Sequence, residues 1–502
     1  MRVISGRWYL NAWVGLVGLH MLTVAATAAT APPGSTRPCR IEGMPNEMRC
    51  GVVQRALDPE HPGAAVIDVH YLVVPAMARN KQPDAVLLLA GGPGQSAMGV
   101  AAAVMPQLAR LNHRRDLVFI DQRGTGRSAP LQCEDESNLS IQQQVDSEQQ
   151  LARLRRCSAA LSTLPYGDLR FFTTTLAIQD FDAVREQLGV PQWNLIGASY
   201  GTRAALEYLR QFPQRVRRTV IDGVAPPDMV LPQSFSTDGQ AALDGLFTSC
   251  EADVQGTNAC AKRYPALRRE WSALLRAMPR SVVVNHPATG KPETVLMTRD
   301  AVLRLVRAPL YAPSLASGLP HAIHAANEGN FAALVGLSGG LGSRKSTRLA
   351  TGMHFSVVCA EDVPRMAGTT EKPGDDFGRA DANLYESVCS FWPRGLVAPA
   401  YYTLPVATSP VLVLSGGSDP ATPPRHGERV ARALGAKAQH IVVPQAGHGV
   451  MGLGCMRDVV VRFVAAPTDA QALPQDALCA TAIPRPGVFL PIQGGATNGA
   501  GT

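Results

Sequence analysis

Short apolar runs alternate with longer stretches of helical period over residues 50–225, and the alternation resumes at 400–465. The runs at 64–74, 85–89, 116–121, 193–196, 218–221, 410–414 and 440–443 read as strands, whereas 176–188, 202–212 and 421–434 read as helices. Strands apolar on both faces must be covered on both, and their alternation with helices implies crossover connections. The expected fold class is therefore α/β, a mainly parallel sheet wrapped by helices. Residues 226–399 are richer in helical period and hold no strand of this kind, so they read as an inserted, mostly helical cap. The cap would separate a first core segment, 32–225, from a second, 400–470, and would exclude water from a site beneath it and limit substrate length. Residues 471–502 read as a C-terminal tail in which Pro, Gly and Ala dominate, disordered from Ile492. No internal repeat is evident.

The N-terminus changes the compartment. Arg2 and Arg7 precede an apolar stretch at 8–24 and a small-residue run at 25–31, the pattern of an export signal removed by signal peptidase. A retained membrane anchor is the alternative, although Asn11 and His20 interrupt the stretch and leave it short for a span. All ten cysteines follow this segment, an even number in a chain with an export pattern, which favours disulfides. None has the CxxC spacing of a zinc or redox site. Neighbour pairing gives Cys39–Cys50, Cys133–Cys157, Cys250–Cys260, Cys359–Cys389 and Cys455–Cys479, each a local clamp of roughly 2–4 kcal/mol. The sequence alone leaves the connectivity open.

Charge excludes little but is informative. Loss of Arg2 and Arg7 with the leader lowers the formal net charge from +7 to +5, spread along the chain, which does not argue for nucleic acid. Arg263, Arg268 and Arg269 are interleaved with Leu267, Trp271, Leu274 and Leu275, as on the wet face of an amphipathic helix. His321 and His324 lie three apart without a ligand partner in a recognisable spacing, so no metal or cofactor is expected.

The chemistry concentrates in three segments. Gly197-Ala198-Ser199-Tyr200-Gly201 falls between a strand-like and a helix-like run, where a sharp turn would expose the Ser199 hydroxyl above the sheet edge. With 46 glycines such a pentapeptide arises by chance in on the order of one chain in a few, so its weight comes from its company. A serine needs a base, and the base an orienting acid, delivered in this arrangement in the chain order serine, acid, histidine. Asp419 follows the strand at 410–414 and His448 follows the strand at 440–443, in that order. Asp222, after the strand at 218–221, is the rival acid. An oxyanion would be held by the backbone N–H of Tyr200 and by a donor in the glycine-rich loop 90–96; Pro93 has no N–H, which leaves Gly92 or Gly91. That loop lacks the pattern of a phosphate cradle.

Two of these segments carry a family resemblance. Ala90-Gly91-Gly92-Pro93-Gly94 and Asp121-Gln122-Arg123-Gly124-Thr125-Gly126-Arg127-Ser128 are similar to the paired signatures of the proline iminopeptidase and tripeptidyl aminopeptidase family, serine peptidases of the α/β-hydrolase superfamily. The resemblance covers about residues 50–465. Ala90 replaces the histidine usual in proline iminopeptidases, and Val358-Cys359-Ala360-Glu361-Asp362 with Cys389-Ser390-Phe391-Trp392-Pro393 resembles the secreted tripeptidyl aminopeptidase branch. The resemblance implies a cap acid that holds the substrate's free α-amino group; Glu361 is nominated, with Asp362 second.

The expected enzyme is thus an exported serine hydrolase acting on a peptide or small-molecule substrate, without nucleic acid and without a membrane once the leader is gone. Exo-acting release of short N-terminal units from peptides is the first reading. Hydrolysis of small non-peptide esters or amides by the same residues is the second, since fold and triad do not fix substrate. A catalytically silent binding protein is the third.

Overall fold

The computed structural model describes residues 36–63, 65–136, 139–252, 257–339 and 348–491; the leader at 1–31 and the end from Ile492 lie outside them. The strands are β1 (Arg37–Cys39), β2 (Met48–Ala56), β3 (Val66–Val74), β4 (Ala85–Leu89), β5 (Leu117–Ile120), β6 (Trp193–Ala198), β7 (Val216–Asp222), β8 (Arg280–Asn285), β9 (Pro292–Met297), β10 (Val411–Gly416) and β11 (Ala438–Val443). Nine of them form one sheet in the order β1-β2-β3-β5-β4-β6-β7-β10-β11. The first three contacts are antiparallel, β1 to β2, β2 to β3 and β3 to β5. From β5 to β11 every neighbour is parallel.

The apolar runs form this sheet because both faces are buried. On β4, Leu87 and Leu89 join one core cluster while Val86 and Leu88 join the other, and Val413 and Leu412 on β10 divide in the same way. All residues of β4, β5 and β10 are buried, as doubly covered parallel strands require. Removing one such leucine to alanine costs about 2–5 kcal/mol.

Among the described residues, 226–399 add no strand to the large sheet. Their first part builds a separate apolar cluster around Leu243, Phe247, Trp271, Leu303 and Ile323, whereas Met353, Phe355, Val357, Val388 and Trp392 pack into the cluster on one face of the sheet. Here the mostly helical expectation needs an addition: β8 and β9 pair as an antiparallel hairpin. Val282 and Val284 of β8 face the cluster while Val283 is exposed, a period of two.

The five disulfides are the five neighbour pairs. The last, Cys455–Cys479, ties the segment after 471 to the core, where Ala472 and Ala480 are buried. Further on, the Phe489 N–H donates to the Ser317 carbonyl and Val488 packs on the helical cluster. The part of the tail up to 491 is therefore bound to the surface, because a disulfide and small buried side chains anchor it. Among the described residues no helix is long and apolar enough to cross a membrane.

Candidate active site

Parallel strands place their carboxyl ends along one edge, and the loops that leave β4, β6, β10 and β11 meet there. Ser199 stands between β6 and the helix Tyr200–Gln211 with φ 56° and ψ −124°, a conformation that costs a non-glycine residue roughly 1–3 kcal/mol. Its N–H donates to the Asp222 carbonyl at 2.9 Å, and its own carbonyl accepts from the Thr202 N–H at 2.9 Å and from Thr202 Oγ1 at 2.6 Å. Gly201 lies so close to β4 that a Cβ there would sit 2.0 Å from the Leu89 carbonyl oxygen. Helix-to-sheet packing therefore dictates the last glycine of the pentapeptide.

The loop after β4 faces this turn: a Cβ on Gly91 would lie 3.3 Å from the Ser199 Cβ. The Gly91 N–H donates to Gln95 Oε1 at 3.2 Å. Gly92, at φ +117° with no room for a Cβ beside the Gly94 nitrogen, keeps an N–H that no described residue accepts. Of the two glycines left open by the sequence, Gly92 is thus the one with a donor to offer. Tyr200 opens its helix, where an N–H has no intrahelical acceptor. Its side chain is buried, with the hydroxyl bonded to Gln122 at 3.0 Å and to Thr174 at 2.6 Å. The second signature supports the loop from below: Asp121 accepts from Ser96 Oγ at 2.6 Å, from the Met98 N–H at 3.0 Å and from the Arg127 N–H at 3.0 Å. Arg123 makes a buried two-pronged pair with Asp180.

Asp419 and His448 are brought together. Asp419 Oδ2 lies 2.8 Å from His448 Nδ1, and its Oδ1 accepts from the N–H groups of Ala421 and Thr422 at 2.8 and 3.0 Å. Burial pushes the Asp419 carboxyl up, but the adjacent imidazole and these donors outweigh it and hold the group below the usual carboxylate range. For His448 burial acts downward, and the Asp419 charge, aided by Asp222, outweighs it and raises the ring above its ordinary value. The ring packs on Gly223, where a Cβ would approach Cε1 to 3.3 Å. Ser199 and His448 thus flank the Asp222-Gly223 dipeptide.

Asp222 does not take the acid's place behind the imidazole. Among the described residues its carboxylate accepts only from backbone N–H groups, from Val450 at 2.9 and 2.8 Å and from Met451 at 2.8 Å. Burial raises it to about 6.

Glu361 and Asp362 require a correction. They are 1 % and 0 % exposed, and protein partners already occupy their oxygens. Glu361 accepts from the Thr174 N–H at 2.7 Å, from Thr174 Oγ1 at 2.9 Å and from the Tyr401 hydroxyl. Asp362 pairs with Arg203 at 2.9 and 3.1 Å and accepts from the Leu231 N–H. A carboxylate so enclosed cannot present itself to a substrate ammonium. The acids face Arg203, buried on the helix after Ser199, instead, and burial raises Glu361 to about 7.

Several contributors lie outside the sequence motifs. Thr422 Oγ1 donates to Asp419 Oδ2 at 2.7 Å and lies 3.1 Å from His448 Nδ1. The Tyr311 ring stands edge-on to the imidazole with centroids 5.1 Å apart, and its carbonyl accepts the His448 N–H at 2.8 Å. From there a chain of contacts runs through residues between β7 and β10. Arg307 bonds to the Tyr311 hydroxyl and lies 4.2 Å over Phe235, and Phe235 meets Tyr385 edge-on. Tyr385 bonds to His354 Nε2 at 2.7 Å, and His354 Nδ1 reaches the Pro93 carbonyl at 3.3 Å. Only a protonated Nδ1 can donate to that carbonyl, so Nε2 accepts from the Tyr385 hydroxyl. Residues between β7 and β10 therefore touch both the histidine loop and the glycine-rich loop after β4. Among the described residues no group of three His, Cys, Asp or Glu is placed to hold a metal.

A serine on a strained strand-to-helix turn, an Asp–His pair beside it and a glycine loop facing it define a serine hydrolase. The chain belongs to the alpha/beta hydrolase fold family, which matches residues 84–454. It is 25 % identical to serine protease Hip1 of Mycobacterium tuberculosis, over 91 % of this chain and 94 % of that one. It is 28 % identical to carboxylesterase B of the same organism, over 77 % and 78 %. A third similarity, 27 % identity, is to tripeptidyl aminopeptidase of Streptomyces coelicolor and covers 43 % and 42 %.

Proposed function

We propose that this chain is an exported serine peptidase that releases short N-terminal units from peptides through an acyl-enzyme on Ser199. The observation that carries the reading is the 2.8 Å Asp419–His448 pair set at the strand edge beside the Ser199 turn. His448, oriented by Asp419, takes the Ser199 proton as the oxygen attacks the scissile carbonyl. The N–H groups of Gly92 and Tyr200 hold the oxyanion, a contribution of ~3–4 kcal/mol per donor. His448 then protonates the leaving amine, and water, deprotonated by the same imidazole, releases the acyl group. Similarity to proteins named serine protease and tripeptidyl aminopeptidase supports a peptide substrate, and five disulfides support export.

With Glu361 and Asp362 enclosed, a preference for free N-termini does not rest on those carboxylates. A second reading, hydrolysis of small esters or amides, is favoured by the similarity to a protein named carboxylesterase. A panel of aminoacyl and tripeptidyl reporter amides set against short acyl esters separates the two. Higher kcat/KM on the peptidyl amides supports the peptidase, whereas turnover confined to esters refutes it.

A further inference from the structure

We infer that Asp222 is a positioning residue for hydrolysis: its carboxylate fastens the loop carrying His448 to the strand that holds the Ser199 turn. The inference rests on the roles proposed above for Ser199 and His448. Asp222 ends β7, in register with Ala198 of β6 on one side and Leu414 of β10 on the other. From this place one residue reaches both halves of the site. Its main-chain oxygen accepts the Ser199 N–H at 2.9 Å, and its side chain accepts the N–H groups of Val450 and Met451, two and three residues beyond His448. Gly223, the next residue, underlies the imidazole.

Every side-chain bond of Asp222 comes from a main-chain N–H, with no cation or hydroxyl among the described donors. A buried carboxylate with that donor set is suited to fixing backbone, since either orientation of an asparagine would set its N–H₂ group 2.9 Å or less from the Val450 N–H, donor against donor. The titratable groups that face it are His448, whose charge favours the carboxylate, and Asp419, whose charge opposes it; burial sets its value at about 6.

The test compares wild type, Asp222→Asn, Asp222→Glu, Asp419→Asn and Ser199→Ala on a p-nitrophenyl ester across pH 5–9. Displacement of the histidine by a fraction of an ångström predicts kcat lowered by about 10–100-fold in Asp222→Asn, with KM within a few-fold. The acid limb of kcat/KM should move to lower pH, because His448 loses a neighbouring negative charge; a purely structural loss would not move it. Asp222→Glu keeps the charge, so its limb should stay while kcat falls. An Asp222→Asn variant with wild-type kcat overturns the inference, and so does one as impaired as Asp419→Asn. Equal turnover by Ser199→Ala and wild type would instead remove the reading beneath it.

Hydrogen exchange in wild type tests the same tie without a variant. Protection of the Val450 and Met451 amides, corrected for intrinsic rate, should fall as pH drops through about 6, while the Ala421 and Thr422 amides on Asp419 hold. Protection at 450 and 451 that is unchanged across that range contradicts the inference.

Discussion

Replacing Asp419 with asparagine removes one charge and keeps the shape of the turn. Oδ1 of the new side chain can still accept from the Ala421 and Thr422 N–H groups, so the strand-to-helix turn should survive. The N–H₂ group would then face His448 Nδ1, now 2.8 Å from a carboxylate oxygen, and force that nitrogen to accept. The ring proton moves to Nε2, the atom that must receive the serine proton. The lost attraction between carboxylate and imidazolium is ~4 kcal/mol for charge centres about 4 Å apart at an effective dielectric of about 20, or about 10³ in rate. The wrong tautomer brings the expected loss to about 10⁴ in kcat, with KM little changed. Steady-state kinetics on a reporter ester and the matching peptidyl amide provide the assay, with circular dichroism to establish that the variant folds. A folded Asp419→Asn within tenfold of wild type would refute the assignment of the acid.

Three further outcomes are expected. kcat/KM should rise with pH through the His448 titration, whose midpoint lies above 6.5, because only neutral His448 accepts a proton and Asp419 raises it; a His448 limb below 6 would contradict that coupling. Glu361→Gln should cost about 1–3 kcal/mol through a donor left facing buried donors, without altering the ratio of rates on free and N-blocked peptides. The folded Glu361 carboxyl is raised from 4.5 to about 7, so its contribution makes wild type lose stability as pH climbs from 4.5 to 7, and melting curves of the variant should lack that component. Gly223→Ala, at φ +69° with the new methyl 3.3 Å from the imidazole, should lower kcat at least tenfold by displacing the ring; unchanged kcat would show that His448 does not pack there.

Much of the site was legible because its chemistry demands local patterns. The elbow needs small residues at 197 and 201, the loop after β4 needs glycine where φ is positive, and Asp419 and His448 each follow an apolar strand. The parallel strands were legible for a similar reason, since burial on both faces leaves a continuous apolar run. Neighbour pairing recovered the disulfides because each closes a short loop.

What escaped depends on contacts between distant residues. Nothing local marks Glu361 and Asp362 as enclosed, because the cation that takes them, Arg203, stands on the helix after Ser199. The β8–β9 hairpin was hidden in a helical stretch, its period of two carried only by Val282, Val284, Val295 and Met297. Tyr311 has no motif at all and meets His448 only through the fold of the insertion. Thr422 was the exception with a signal, a hydroxyl three residues after an acidic turn residue, where side-chain bonding to the turn is common.

The central claim is that Ser199 becomes acylated. Mass spectrometry of the acid-quenched enzyme, taken during turnover of a peptidyl reporter and followed by peptide mapping, reads this directly. The account predicts an acyl adduct on the peptide containing Ser199, absent from Ser199→Ala; an adduct at another residue, or turnover persisting in Ser199→Ala, would contradict it.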